Sequence, residues 1–142
     1  MLKLDDLLCF GVYSTNHAMN KVYSPLLKNI GLTYTQYLVM IALWEKDRQL
    51  VGEIGEKLFL ATNTLTPLLK RLEKNGLIER IRSKEDERQV TVHLTKKGKH
   101  LESEAICIPE KILEATGMKE SEIEVICSQF IQLRQNLLGH LK

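Results

Sequence analysis

At Asn75-Gly76 the chain changes period, and few architectures accommodate that change within so short a stretch. Before it, Leu65, Leu68, Leu69 and Leu72 recur at spacings of three and four, which gathers apolar side chains on one face of a helix. After it come Leu77-Ile78-Glu79-Arg80-Ile81 and Val90-Thr91-Val92-His93-Leu94, both rich in β-branched residues. The second of these alternates apolar and polar as a half-buried strand does. Gly76 is suited to the left-handed conformation that closes a helix. Upstream, Ile54 and Leu58 mark a shorter helix, joined to the leucine-striped one by a brief turn at Leu60-Ala61. Residues 52–94 therefore predict helix, turn, helix and a two-stranded wing.

The leucine-striped helix carries Thr62, Asn63, Thr64, Thr66, Lys70, Arg71 and Lys74 on its other face. Proline is tolerated in a first turn, so Pro67 predicts a start near residues 62–64 with Thr or Asn as the cap. Its opening turn then offers hydrogen bonds to base edges and phosphates, and its later turns offer cations. Any solvated amphipathic helix shows the same stripe, so the wing has to decide. Its tip, residues 82–89, is Arg-Ser-Lys-Glu-Asp-Glu-Arg-Gln. A solvated hairpin needs no such density of charge, whereas a tip entering a minor groove needs an arginine and a carboxylate to hold it. Arg88 and Asp86 fit those roles, with Arg82 and Lys84 beside them. Residues 70–99 hold ten Lys or Arg against five Asp or Glu, while residues 1–69 hold six of each. A chain of formal charge only +2 thus concentrates its positive charge on one helix and its wing, a footprint for double-stranded DNA.

The 142 residues, 44% hydrophobic and 27% charged, suit one domain of ordinary composition. The opening Met-Leu-Lys-Leu-Asp-Asp shows no signal-peptide pattern and no apolar run spans a membrane, so a cytoplasmic location is expected. Three cysteines, Cys9, Cys107 and Cys127, form no Cys-x-x-Cys pair, which argues against a disulfide scaffold or a zinc knuckle. Residues 4–29 predict a long helix bent near Pro25, with Cys9 in its second turn. Thr33 and Gln36 have capping-box spacing for a helix over 34–45, and Leu50-Val51 predicts a third short strand. Thr95 caps a helix expected to run past Pro109 to Gly117 with a kink near its middle. A last helix, from about Ser121, presents Ile123, Ile126, Phe130, Leu133, Leu137 and Leu141.

The combination of Leu65-Thr-Pro-Leu-Leu-Lys-Arg-Leu-Glu73, Asn75-Gly-Leu-Ile78, Asp86-Glu-Arg88 and Leu94-Thr-Lys-Lys-Gly98 resembles the MarR family of winged-helix regulators over nearly the whole chain. That resemblance implies a mainly α, α+β fold. The winged helix-turn-helix would lie at about 34–95, flanked by helices at about 4–30 and 96–141 that form a two-fold homodimer. The apolar stripe of the last helix, too long for the small reading unit to cover, points the same way. A pseudo-palindromic operator follows, its two reading helices about 34 Å apart.

Cys9 carries the remaining chemistry. Asp5 and Asp6 oppose a thiolate there, a helix N-terminus favours one only within its first turn, and further donors are needed. All four tyrosines fall within the first 37 residues. On the residues alone, a buried inert cysteine among core tyrosines is the plainer reading. Leu8-Cys9-Phe10 with Tyr13, Tyr23, Thr33-Tyr34 and Gln36-Tyr37 is, however, similar to the OhrR-like branch, which senses organic hydroperoxides. The resemblance implies that Cys9 is oxidised to a sulfenic acid, that Tyr13 also belongs to the pattern, and that Tyr23 and Tyr34 reach Cys9 from the partner subunit. Condensation with another thiol would then distort the dimer and separate the reading helices.

Two departures bear on this. Ala61-Thr62-Asn63 stands where the branch usually has Asp-Ser-Gly, so operator preference is open. The resolving cysteine of two-cysteine members aligns with Glu114, whereas this chain offers Cys107. No cofactor is implied. A metal- or ligand-responsive regulator is an alternative, because His100, Glu104 and Cys107 would share one face of a continuous helix, although no fourth ligand is evident. A thiol peroxidase using Cys9 is another, but it would have no need of a basic helix and wing.

Overall fold

Capping chemistry sets most of the element boundaries. The computed structural model describes residues 1–142, in two compact units, Met1–Ile106 and Cys107–Lys142. Leu4–Asp6 form a single 3-10 turn, and Leu7, extended at φ −89° and ψ 121°, ends it by donating its N–H to the Leu4 carbonyl at 3.1 Å. Helix α1 therefore begins only at Leu8 and runs through Pro25 to Lys28. The continuous helix expected from residue 4 is corrected accordingly, and Cys9 moves from a second turn into the first. Gly31, at φ 71°, turns the chain into α2, Tyr34–Glu45. The expected capping box is present, with the Thr33 hydroxyl accepting from the Gln36 N–H at 3.4 Å and the Gln36 amide oxygen accepting from the Thr33 N–H at 3.0 Å.

The two-residue strand β1, Gln49–Leu50, ends before Val51, which instead opens α3, Val51–Leu58. The turn into α4, Thr62–Lys74, is made by Phe59 in the left-handed region at φ 57°, with the Leu60 N–H bonded to the Gly55 carbonyl at 2.9 Å. A Cβ on Gly55 would lie 2.9 Å from the Leu60 carbonyl oxygen, so glycine lets the two helices approach. Asn75 and Gly76, the latter at φ 76°, end α4 as expected.

Strands β2, Ile78–Arg82, and β3, Val90–Leu94, pair antiparallel from Ile78 opposite Leu94 to Arg82 opposite Val90. Strand β1 joins the other edge of β3, giving the order β1-β3-β2. The core of this unit is Val39, Met40 and Leu43 of α2, Ile54 of α3, Leu65, Leu69 and Leu72 of α4, and Ile78 and Val92 of the wing, all essentially inaccessible. Fully burying one such side chain stabilises the fold by about 1.5–3 kcal/mol.

Helix α5 covers Lys96–Ala105, with the Thr95 hydroxyl accepting from the Gly98 N–H at 3.0 Å. It does not kink at Pro109; it stops. A proline at 109 cannot donate to the carbonyl of Ala105 and its ring would clash with that carbonyl, so the helix ends there. Helix α6, Ile108–Thr116, restarts with Pro109 in its first turn, where no bond is lost. Helix α7 spans Glu120–His140 and buries none of its side chains, with Phe130, Ile131, Leu137 and Leu138 among those exposed. No helix is long and apolar enough to cross a membrane.

Candidate functional site

The reading face of α4 is built as the leucine stripe requires, with Thr62, Asn63, Thr64, Lys70, Arg71 and Lys74 exposed and Thr66 half-buried. One expectation is corrected. The residue before the helix is Ala61, with no side-chain cap, and Thr62 is already helical, so neither Thr nor Asn caps α4. Pro67 accordingly lies in the second turn, not the first, and leaves the Asn63 carbonyl without its helical donor. Thr66 donates its hydroxyl to the Thr62 carbonyl at 2.8 Å. Thr62 and Thr66 face an open cleft of about 620 Å³ whose far wall includes Arg80, Arg82 and Arg88.

The wing is held by its own backbone. Ser83 N–H donates to the Gln89 carbonyl at 2.8 Å, and the Arg82 guanidinium donates to the Glu87 carbonyl at 2.7 Å. Lys84 is exposed beside them. Asp86 acts chiefly on the backbone, accepting from the Arg88 N–H at 3.1 Å, while the Arg88 Nε stands 3.9 Å from the same oxygen. The Arg88 side chain is 95% exposed.

Two ties escaped the sequence reading. Glu73, near the end of α4, accepts from the Arg80 N–H at 2.9 Å and from its guanidinium at 3.1 and 3.3 Å, fixing the wing to the helix. These bonds, the backbone one foremost, hold its carboxyl below the usual glutamate range. At the other side, the Thr95 hydroxyl donates to the Gly76 carbonyl at 2.6 Å and Trp44 Nε1 donates to the Gly98 carbonyl at 2.9 Å. The close approach of Gly98 to Leu77 would leave a Cβ 2.0 Å from the Leu77 carbonyl oxygen. Neither tie has a spacing that a one-dimensional reading detects.

Cys9, Cys107 and Cys127 are all free and exposed. Cys9 is the second residue of α1, where the first-turn N–H groups have no helical partner. Tyr13, one turn on, is also exposed and pairs with Phe10 and His17, not with the other tyrosines. Tyr23 and Tyr34 do come together, their ring centroids 5.0 Å apart, with Tyr37 6.0 Å from Tyr23. Burial, reinforced by Tyr34 and Tyr37, pushes the Tyr23 hydroxyl up to about 12, so it stays a proton-bearing donor. Tyr23 and Tyr34 line an open cleft of about 620 Å³ with Asn20, Ser24 and Thr33. Tyr23 follows Cys9 by fourteen residues, about 21 Å along α1. No tyrosyl side chain spans that distance within one helix, so the pair does not reach the Cys9 of its own chain.

Cys107 is corrected as well. It is the cap residue between α5 and α6, not part of a kinked helix, so His100 and Glu104 of α5 do not share a helix with it. No cluster of three His, Cys, Asp or Glu is placed to hold a metal ion.

Residues 21–105 match the family model of the transcriptional regulator SarA/Rot. The chain is 45% identical over 134 residues to the transcriptional regulator TtmR of Methylorubrum extorquens strain PA1, covering 94% of this chain and 69% of that one. It is 41% identical over 136 residues to the organic hydroperoxide resistance transcriptional regulator of Bacillus subtilis strain 168, covering 96% and 92%. Among solved structures, reduced AbfR bound to DNA superposes with a TM-score of 0.82 at 36% identity, covering 98% of this chain and 95% of that one. The disulfide form of AbfR, a protein of Staphylococcus epidermidis, gives 0.65 at 37% identity, covering 97% and 92%.

Proposed function

We propose, from the premise that the chain belongs to the SarA/Rot family of MarR-like winged-helix transcriptional regulators, that it represses transcription from a pseudo-palindromic operator and releases it when an organic hydroperoxide oxidises Cys9. The observation that carries this reading is the exposed thiol of Cys9 in the first turn of α1, in the same compact unit as an exposed reading helix and wing. Its protomer pairs with a second copy through the apolar faces that α1 and α7 leave exposed, among them Leu8, Val12, Phe130 and Leu137. In that dimer the Tyr23–Tyr34 cleft of one protomer receives the Cys9 turn of the other, with Tyr13 beside the sulfur on its own helix.

The thiolate attacks one peroxide oxygen, the O–O bond breaks, and the departing alkoxide takes up a proton to leave as an alcohol. Sulfur is oxidised to the sulfenic acid, and a second thiol condensing with it releases water and forms a disulfide. Each oxidation consumes one hydroperoxide per Cys9. No metal or cofactor takes part. Operator binding measured beside intact mass, before and after cumene hydroperoxide, tests the reading. Cys9→Ser should bind and fail to release, whereas Cys127→Ser should release normally. Release by Cys9→Ser at the wild-type peroxide concentration would sink the proposal. Tyr34→Phe should slow oxidation by removing a hydroxyl from the cleft, and an unchanged rate would remove Tyr34 from the site.

A further inference from the structure

We infer that Asn63 determines operator specificity, its carboxamide reading one adenine in the major groove of each half-site. The inference rests on the DNA-binding reading above. The buried line of α4 is Leu65, Leu69 and Leu72. At about 100° per residue, the direction opposite that line passes through Asn63, Pro67, Lys70 and Lys74, and all four are exposed. Thr62 and Thr66 are turned aside, toward the cleft that Arg82 and Arg88 line, and Thr66 spends its proton on the Thr62 carbonyl. Thr64 lies on the other flank. Of the four outward residues, Pro67 has no polar side-chain atom. Lys70 and Lys74 follow Asn63 by about 10 and 16 Å along the axis, where a helix entering the groove by its N-terminus meets sugar and phosphate.

Asn63 alone combines the N-terminal turn, the outward direction and a paired donor and acceptor. Its side chain is also unspent, because Ala61 stands at the cap position and the Asn63 amide makes no hydrogen bond within the protein. An amide presents one acceptor beside one donor, which complements N6–H and N7 of adenine. Guanine shows two acceptors on the same edge and leaves the amide oxygen facing another oxygen. Cytosine offers a donor without the adjoining acceptor.

The test is selection from a randomised duplex DNA library by the full-length reduced protein, wild type against two variants. The wild type should enrich a palindromic motif with adenine at one symmetric position. Asn63→Ala should keep the rest of the motif, lose that preference, and bind the wild-type consensus about 5- to 150-fold more weakly per half-site. Its salt dependence should not change, because no phosphate contact is removed. Asn63→Arg, whose guanidinium matches O6 and N7, should move the same position to guanine. Residue 63 is exposed, so circular dichroism should report an unchanged fold in both variants. A motif that both variants reproduce unaltered overturns the inference and leaves the DNA-binding reading standing. A wild type that enriches no motif overturns that reading itself.

Discussion

Arg88 and Lys74 carry the same charge but stand in different relations to a duplex. Arg88 projects from a tip whose backbone is fixed by Asp86, Ser83 and Gln89, and its side chain touches nothing else strongly. Arg88→Ala should therefore leave the fold intact and weaken specific binding by about 10-fold or more, the effect of losing a minor-groove arginine. Lys74, about three turns beyond Asn63 at the base-reading end of α4, should contribute to all sequences alike. Lys74→Ala should reduce the slope of log affinity against log salt by about 1 and leave the preferred motif unchanged. Titrations across a salt series on the selected operator and on a scrambled duplex separate the two, and equal losses on both duplexes for Arg88→Ala would refute the wing assignment. The identities of these residues were legible because charge density at a hairpin tip is a sequence property. That Asp86 grips the Arg88 backbone more closely than its guanidinium was not, since the reach of a side chain depends on a loop conformation that composition does not specify.

At the scale of elements, α4 and the wing act together through the Glu73–Arg80 tie. The folded-state carboxyl sits below its ordinary value of 4.5, so its contribution is present above that value and is lost as pH falls through the lower folded one. Both partners are partly exposed, which limits the tie to about 1 kcal/mol. Glu73→Gln should lower the urea midpoint near neutral pH by that order, and the gap between the two proteins should close as the pH falls well below 4.5. A gap that widened in acid would contradict the tie. Gly98→Ala should cost more, about 1–3 kcal/mol or above, because the obstructing atom is a backbone carbonyl. Trp44 is the one tryptophan of the chain and bonds to Gly98, so its fluorescence reports that junction directly.

These ties mark where the sequence stops informing. The Asn75-Gly76 stop, the capping box at Thr33 and the β3 alternation are local patterns and were read at their observed positions. Phe59 in a left-handed turn and the uncapped Ala61 carry no local pattern at all, because tertiary packing of α3 on α4 imposes them. Pro109 was visible, but its consequence was understated. Its clash falls on the carbonyl of Ala105, and the chain answers by ending α5 there and beginning a new helix.

At the scale of the whole molecule, the sulfenic acid proposed for Cys9 needs a second thiol to form a disulfide. AbfR in its disulfide form departs further from this chain than reduced AbfR on DNA, 0.65 against 0.82, although the two are nearly equal in identity to it. We propose that here the resolving thiol is Cys107 of the partner subunit. It is exposed and sits at the break between α5 and α6, where neither helix carries the residue in its interior. Cys127 lies within the continuous helix α7, on an open cleft whose lining mixes Leu113, Ile123 and Ile131 with Glu110, Glu120 and Glu124. A bond between Cys9 and Cys107 requires their Cα atoms within about 7 Å, and Pro109 imposes no strain on that region, since it occupies a first turn. Treatment with tert-butyl hydroperoxide should therefore give a covalent dimer of twice 16.3 kDa on non-reducing electrophoresis, reversed by dithiothreitol. Cys107→Ser should give none, and should retain a mass increase of one oxygen on Cys9. Cys127→Ser should dimerise as the wild type does. If wild type and Cys107→Ser instead form the same monomeric mixed disulfide when a small thiol is supplied, the protein senses with Cys9 alone and Cys107 has no part in release.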